Sequence, residues 1–348
     1  MKKAFFSSLL ICILLCLGFA PAFAQQNQKV VFPTPSGYLS SAGGAVTPTA
    51  DGGYLVLGSV DGTDWNTFGT LIQPRVIKLD GNLNTEWDNI YIPFSPPFGE
   101  LAIPNGQAFE LPDGDFIFGL HNDSSDVHVL RLNADGSLDA EISFPGLYER
   151  FARVINLLPG GNVLVYLQSN NPSIHHLDAN NNVVYSKVIG LQGIESAPTL
   201  LSNGDLLFHK FNFSQLTRTD PSGNVIWQTQ PPGGVIYQQI VALPGGGFGL
   251  SFFDPVTDNW FLRFFDDNGL ETNLSESLPL TGQVVNIAAY PDGSFLAGGS
   301  TVTNRGYLMR FTADGTLTWG IESPEDGQPP VTSLYGTPTS DGWAAGGG

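Results

Sequence analysis

Two short stretches of the chain combine residue types that could hold a polyhydroxylated ligand. Asp61-Gly62-Thr63-Asp64-Trp65 and Asp254-Pro255-Val256-Thr257-Asp258-Asn259-Trp260 each set acids or an amide beside an indole. An indole face stacks on the CH groups of a sugar ring while carboxylate oxygens accept hydrogen bonds from its hydroxyls. Asp61, Asp64, Trp65, Asp254, Asp258 and Trp260 are therefore the candidate ligand-binding set. The competing structural account makes the aspartates turn formers and folds each tryptophan back onto its own strand edge.

Catalytic and metal patterns are missing. His175-His176 is the histidine pair of the chain, and neighbours on a strand point to opposite faces. His121 and His128 lie near Asp123 and Asp126 without a third ligand at suitable spacing. Asp178-Ala179-Asn180-Asn181-Asn182 starts like a calcium loop but lacks its glycine and closing glutamate. No nucleophile elbow, zinc-protease helix motif or phosphate-binding glycine loop occurs. We therefore assign no catalytic residue, no metal ligand and no cofactor, with calcium capture by the acidic surface as the alternative. A glycan hydrolase or lyase would have to draw its acids from Glu100, Glu149, Glu195 or Glu322, which fall near the connections between repeats.

A further constellation is periodic. Lys78, Arg131, His176, Arg218, Arg263 and Arg310 precede turns containing Asp80, Asp135, Asp178, Asp220, Asp267 and Asp314. The simplest cause is a structural ion pair or charge-assisted bond to the turn of a neighbouring repeat, rather than a ring of cations around an anionic ligand.

The elements that must position these residues follow from a recurring turn. A Pro/Ser-Asp/Gly/Asn-Gly type of turn between apolar runs appears seven times, first at Asp51-Gly52-Gly53 and then at Asp113, Gly160, Asn203, Gly245, Asp292 and Asp341, these six in steps of 42 to 49 residues. That is the period of a four-stranded propeller blade. From Gln107 one repeat reads as four strand-sized runs, QAFEL, FIFGL, VHVLRL and LDAEISF, with no sustained helical period. The fold class is all-β, a β-propeller of four-stranded antiparallel blades, seven by the turn count or six plus an incomplete one. The last unit supplies VTSLYGTP and WAAGGG only, so the last blade is either incomplete or closed by the N-terminal segment Lys29 to Pro33. First-to-second and third-to-fourth connections are tight and lie at one end of the ring. The second-to-third connections, such as Asp61 to Pro74 and Asp254 to Asn259, vary in length and share the other end with the blade-to-blade segments, which makes that end the contact surface.

Residues 1–24 read as a secretory signal: Lys2-Lys3, an apolar stretch and Ala22-Phe23-Ala24 before Gln25. Residues 25–348 are then a single propeller domain, secreted and either free or attached to a cell surface. Both cysteines, Cys12 and Cys16, fall in the leader, which leaves the exported part without a thiol. The 14 Lys and Arg face 32 Asp and Glu, a net charge of −18. Such a balance excludes nucleic acid and anionic membranes as partners, because nothing could neutralise a row of phosphates. No other apolar run is long enough to insert in a membrane.

Asp80-Gly81-Asn82-Leu83-Asn84-Thr85-Glu86-Trp87, Asp220-Pro221-Ser222-Gly223-Asn224-Val225-Ile226-Trp227 and Asp314-Gly315-Thr316-Leu317-Thr318-Trp319 share a strand-turn-strand Asp…Gly…Trp pattern. It resembles the repeat of PQQ-like (quinoprotein-like) propellers, and the chain as a whole resembles secreted bacterial repeat propellers with Pro-Asp-Gly-Gly turns. Ile142, Tyr185 and Asn273 replace the tryptophan elsewhere. The vicinal cysteines of quinone-dependent alcohol dehydrogenases are absent. What the resemblance implies is a propeller for export, without quinone catalysis. The functional expectation is a monomeric binding or scaffold module for an extracellular glycan or protein. The alternatives are a carbohydrate-active enzyme and a structural segment of a larger surface protein.

Overall fold

The computed structural model describes residues 32–38, 40–64, 69–91, 102–122, 127–144, 151–168, 172–189, 198–210, 215–230, 236–254, 259–274, 283–300, 305–313, 316–322, 334–338 and 343–347. The chain separates into Met1–Pro33, of which Phe32 and Pro33 are described and carry no strand, and Thr34–Gly348.

Among the described residues, the regular structure of the second unit is strand apart from one short turn of 3-10 helix at Pro159–Gly161. Blade one is β1 (Ser40–Pro48), β2 (Tyr54–Asp64), β3 (Gly69–Leu79) and β4 (Thr85–Ile90). Blade two is β5 (Ala102–Glu110), β6 (Phe116–Asn122), β7 (Val127–Leu132) and β8 (Leu138–Phe144). Blade three is β9 (Phe151–Leu158), β10 (Asn162–Gln168), β11 (Ser173–Leu177) and β12 (Val183–Val188). Blade four is β13 (Thr199–Leu200), β14 (Leu206–Lys210), β15 (Gln215–Thr219) and β16 (Val225–Thr229). Blade five is β17 (Ile236–Ala242), β18 (Phe248–Asp254), β19 (Asn259–Phe265) and β20 (Glu271–Leu274). Blade six is β21 (Gln283–Ala289), β22 (Phe295–Ser300), β23 (Gly306–Phe311) and β24 (Leu317–Glu322). A two-stranded sheet, β25 (Leu334–Pro338) and β26 (Trp343–Gly347), follows.

Of the two expected counts, the described residues show six four-stranded blades plus an incomplete one rather than seven, because the seventh turn position falls between the two strands of a hairpin, β25 and β26. Each blade is an antiparallel meander, and a single bridge, His121 to Phe151, joins the sheets of blades two and three. Residues 29–31 of the proposed closing segment lie outside the described residues. Closure involves the C-terminal hairpin: β25 packs on β21, β22 and β23, and β26 packs on β1.

Turn chemistry sets the register. Gly114 donates to Leu111 O at 2.9 Å and Leu111 donates to Asp115 O at 2.7 Å, which closes a tight hairpin with Gly114 at φ 89°. Only glycine adopts that angle without steric cost, hence the recurring Asp-Gly.

Burial is graded across each blade. The first strands of successive blades touch in turn, β1 with β5, β5 with β9, β9 with β13, β13 with β17 and β17 with β21, so they ring the axis. Third strands are enclosed, with every residue of Val127–Leu132 buried. Fourth strands form the rim, and β12 is exposed at every position but Lys187, which is half-buried. The core is not one centre but a series of layers between blades. Leu55, Leu57 and Val76 pack on Phe116, Phe118 and Leu130 between blades one and two. Equivalent layers join two with three, three with four, four with five and five with six. Consecutive repeats therefore share their hydrophobic burial and cannot complete it alone.

Candidate functional site

At the turn end, the lysine and the arginines of the periodic set bind acids of their own blade, whereas Nε2 of His176 is buried without a hydrogen-bond partner. Lys78 Nζ lies 2.7 Å from Asp51 and 3.1 Å from Glu86. Arg131 meets Asp113 at 2.6 Å, Asp115 at 2.8 Å and Asp139 at 3.2 Å. Arg218 pairs with Asp205 at 2.6 Å, Arg263 with Glu271 at 3.8 Å and Arg310 with Asp292 at 3.4 Å. Among the described residues, the expected aspartate partners of the next turn serve another purpose. Asp80 accepts from the backbone N–H groups of Asn82 and Asn84, and Asp178 and Asp220 do the same in their turns. The side-chain and backbone bonds from Asn84 hold the Asp80 carboxyl below its usual range. Two cations do reach the neighbouring blade, through carbonyls rather than carboxylates. Arg131 Nη1 donates to Ala179 O at 3.0 Å, and Arg218 Nη1 donates to Asp267 O.

The Asp…Gly…Trp pattern has a clear role there. Trp87 Nε1 donates to Ala134 O at 3.1 Å in the next blade's turn, and Trp227 Nε1 donates to Asp267 O at 3.1 Å. Tyr185, standing where the tryptophan is replaced, donates to Ser222 O at 3.0 Å. A Cβ on Gly136 would come within 2.7 Å of the Trp87 ring, so the glycine is required by contact as well as by its φ of 80°. These bonds tie each turn to the blade before it.

The opposite end, which carries the longer connections, contains the ligand-binding candidates. Asp61 is half-buried on β2, and its Oδ1 is buried without a hydrogen-bond partner. Gln168, at the end of β10, is 6% exposed and its Oε1 is likewise unmatched. The segment read as a loop from Asp61 to Pro74 is largely strand, since β2 runs on to Asp64 and β3 starts at Gly69. Trp65, Asp258 and the side chains of Asp64 and Asp254 lie outside the described residues. Trp260 is placed inside: it opens β19, pairs with Phe253 across the sheet and is 6% exposed in the layer between blades five and six. Its ring stands 5.5 Å from that of Phe253, so protein rather than ligand covers it. Asp61 and Trp260 belong to blades one and five and are not brought together.

Sequence reasoning passed over Arg153. It sits near the start of β9, an axial strand, and its side chain lies against Gly106 of the axial strand β5. Desolvation pushes its guanidinium below the ordinary arginine value. Its one sequence signal is its place: a cation in a first strand, outside the third-strand position that the other repeats use.

The histidines are structural in their surroundings. His175 is 7% exposed, shares a hydrogen bond with Ser173 Oγ at 2.9 Å and meets the Phe144 ring edge at 5.0 Å. Burial pushes its pKa down to about 4, so it is neutral at physiological pH. Among the described residues, no group of three His, Cys, Asp or Glu side chains could hold a metal ion, and no helix is long and apolar enough to cross a membrane.

Segments 113–141 and 291–317 match the family described as a domain of unknown function (DUF5122) beta-propeller. The chain is a β-propeller repeat protein. No curated protein matches it. Among solved structures, it is similar to a streptogramin B lyase at 17% identity and TM-score 0.59, covering 88% of this chain and 91% of that one. Virginiamycin B lyase from Staphylococcus aureus is similar at 14% identity and TM-score 0.54, covering 82% and 85%. The Pan2 WD40 domain of Neurospora crassa is similar at 13% identity and TM-score 0.58, covering 90% and 88%. A lyase and a WD40 domain at such identities share architecture with this chain, and activity lies in sites grafted on the fold.

Proposed function

We propose that this chain is an exported, monomeric propeller of the PQQ-like type, without quinone chemistry, that acts as a binding or scaffold module for an extracellular glycan or protein. Residues 1–24 direct export, and the domain 25–348 carries the function in solution or at a cell surface. The observation that supports this reading best is a pair of buried, unmatched acceptors among the residues of the connection end. At the turn end, carbonyls accept from the preceding blade's tryptophan, tyrosine or arginine. At the other end, the buried acceptors Asp61 Oδ1 and Gln168 Oε1 lack donors, and an unmatched buried acceptor is costly unless a partner arrives. Sugar hydroxyls and peptide N–H groups are donors of the required kind.

The test uses residues 25–348 on a panel of immobilised polysaccharides. Asp61→Asn combined with Trp65→Ala is expected to weaken retention at least about tenfold, the loss of one good polar contact or more. Asp80→Asn, at the turn end, is expected to leave it unchanged. Retention that survives the first pair, or that is lost equally in the control, defeats the assignment of this end.

A further inference from the structure

We propose that Arg153 anchors a carboxylate-bearing small molecule at the axial mouth of the propeller. This deepens the reading of the connection end as the contact surface, and rests on it. Every other described Lys or Arg has a bonding or electrostatic partner: Arg75, Lys78, Arg131, Lys187, Arg218, Arg263 and Arg310 with acids or an amide, and Lys210 and Arg305 through further interactions. Arg153 alone among the described lysines and arginines has none. In a chain of net charge −18, acids are abundant and a cation left unpaired is the exception.

The position explains what it could meet. First strands ring the axis, and a first strand enters its blade from the connection end, so Arg153, near the start of β9, lies toward that mouth. It is enclosed by neighbours yet keeps part of its surface open, the combination expected of a side chain lining a narrow passage. Its course is fixed by Gly106 of β5, at φ 80°, where a Cβ would stand 2.6 Å from Nε and 3.1 Å from Cγ. The absent side chain leaves the lane in which the guanidinium stem lies. Gln107, next along β5, is exposed, and Asn156 on β9 is half-buried, so amides flank the same two strands.

The ligand chemistry follows from charge. A guanidinium binds a planar carboxylate through two parallel N–H···O bonds. One cation matches one negative charge, while the acidic body of the protein repels phosphates and polyanions. A singly charged carboxylate on an otherwise neutral molecule, such as a hexuronate, fits both conditions.

The experiment measures melting temperature and binding of residues 25–348 at low salt with glucuronate, glucose and glucose 6-phosphate. Glucuronate is expected to bind and to raise the melting temperature, glucose to do neither, and glucose 6-phosphate to bind more weakly than glucuronate. Arg153→Gln is expected to weaken glucuronate at least about tenfold, Arg153→Lys less, and Gly106→Ala to weaken it by displacing the guanidinium. Without ligand, Arg153→Gln is expected to melt at or above the parent temperature, since it removes a desolvated, unpaired charge. A large loss of melting temperature in Arg153→Gln with no response of the parent to glucuronate would assign Arg153 a structural role and overturn the proposal. Equal binding of glucuronate and glucose, unaffected by Arg153→Gln, would overturn it while leaving the connection end as the contact surface.

Discussion

Glu141 shows how one side chain imposes a pH dependence on the whole fold. Burial pushes its carboxyl up to about 6 from 4.5, against the bond from Ser143 that lowers it. A carboxyl raised in the folded state binds its proton more tightly there than in the unfolded chain, so its contribution is present below pH 4.5 and is lost as pH rises through about 6. Glu141→Gln is therefore expected to melt higher than the parent at pH 7, by about 1 kcal/mol of stability, and to match it at pH 4. His128 Nδ1 stands 3.1 Å from Glu141; a variant less stable than the parent at pH 7 would instead mean that His128 is protonated and paired with it. Neither residue's environment is legible in the sequence, because partial burial depends on what packs from blade one. The same limit applies to Trp260 and Arg153. The Asp-rich segment before Trp260 reads as a loop, but β19 begins at Asn259 and carries the indole into the core. That Arg153 lacks a partner is a property of all its neighbours, which no local motif encodes.

Among elements, the turn and its tryptophan were the legible parts, since both rest on local rules. A positive-φ glycine three residues after the turn's first residue is set by hairpin geometry, and Gly136, Gly223 and Gly269 all adopt it, at φ 80°, 77° and 77°. Where the repeat departs from glycine, Leu83 is held at φ 66° and Asn181 at φ 67°, the former a costly choice for a branched side chain. The pattern does not disclose that the tryptophan reaches into the following blade. Trp87→Phe keeps the ring near Phe116, 6.3 Å away, but removes the donor to Ala134 O. It is expected to cost about 1 kcal/mol, and Trp227→Phe a similar amount. Because these latches lie in blades one and four, their effects are expected to add in the double variant, as measured by denaturant titration. A double variant costing much more than the sum would mean that the latches couple around the ring.

At the scale of the molecule, the turn count alone overstates the full blades by one, and the alternative of six plus an incomplete one is what the described residues show, since a turn shows that a hairpin exists and says nothing of the two strands that should follow it. The ring is completed instead by β25 and β26, half a blade between blade six and β1. A two-stranded hairpin is marginal without neighbours, whereas each full blade shares an apolar layer with the next. In amide exchange with deuterium, β25 and β26 are expected to lose protection first, then the flanking β1 and β21, with Val127–Leu132 and Leu206–Lys210 slowest. Uniform exchange of all blades would show that the ring opens as one cooperative unit. The half blade would otherwise give a closed circle a beginning: a fixed place from which the protein unzips, leaving the far side of the ring folded longest.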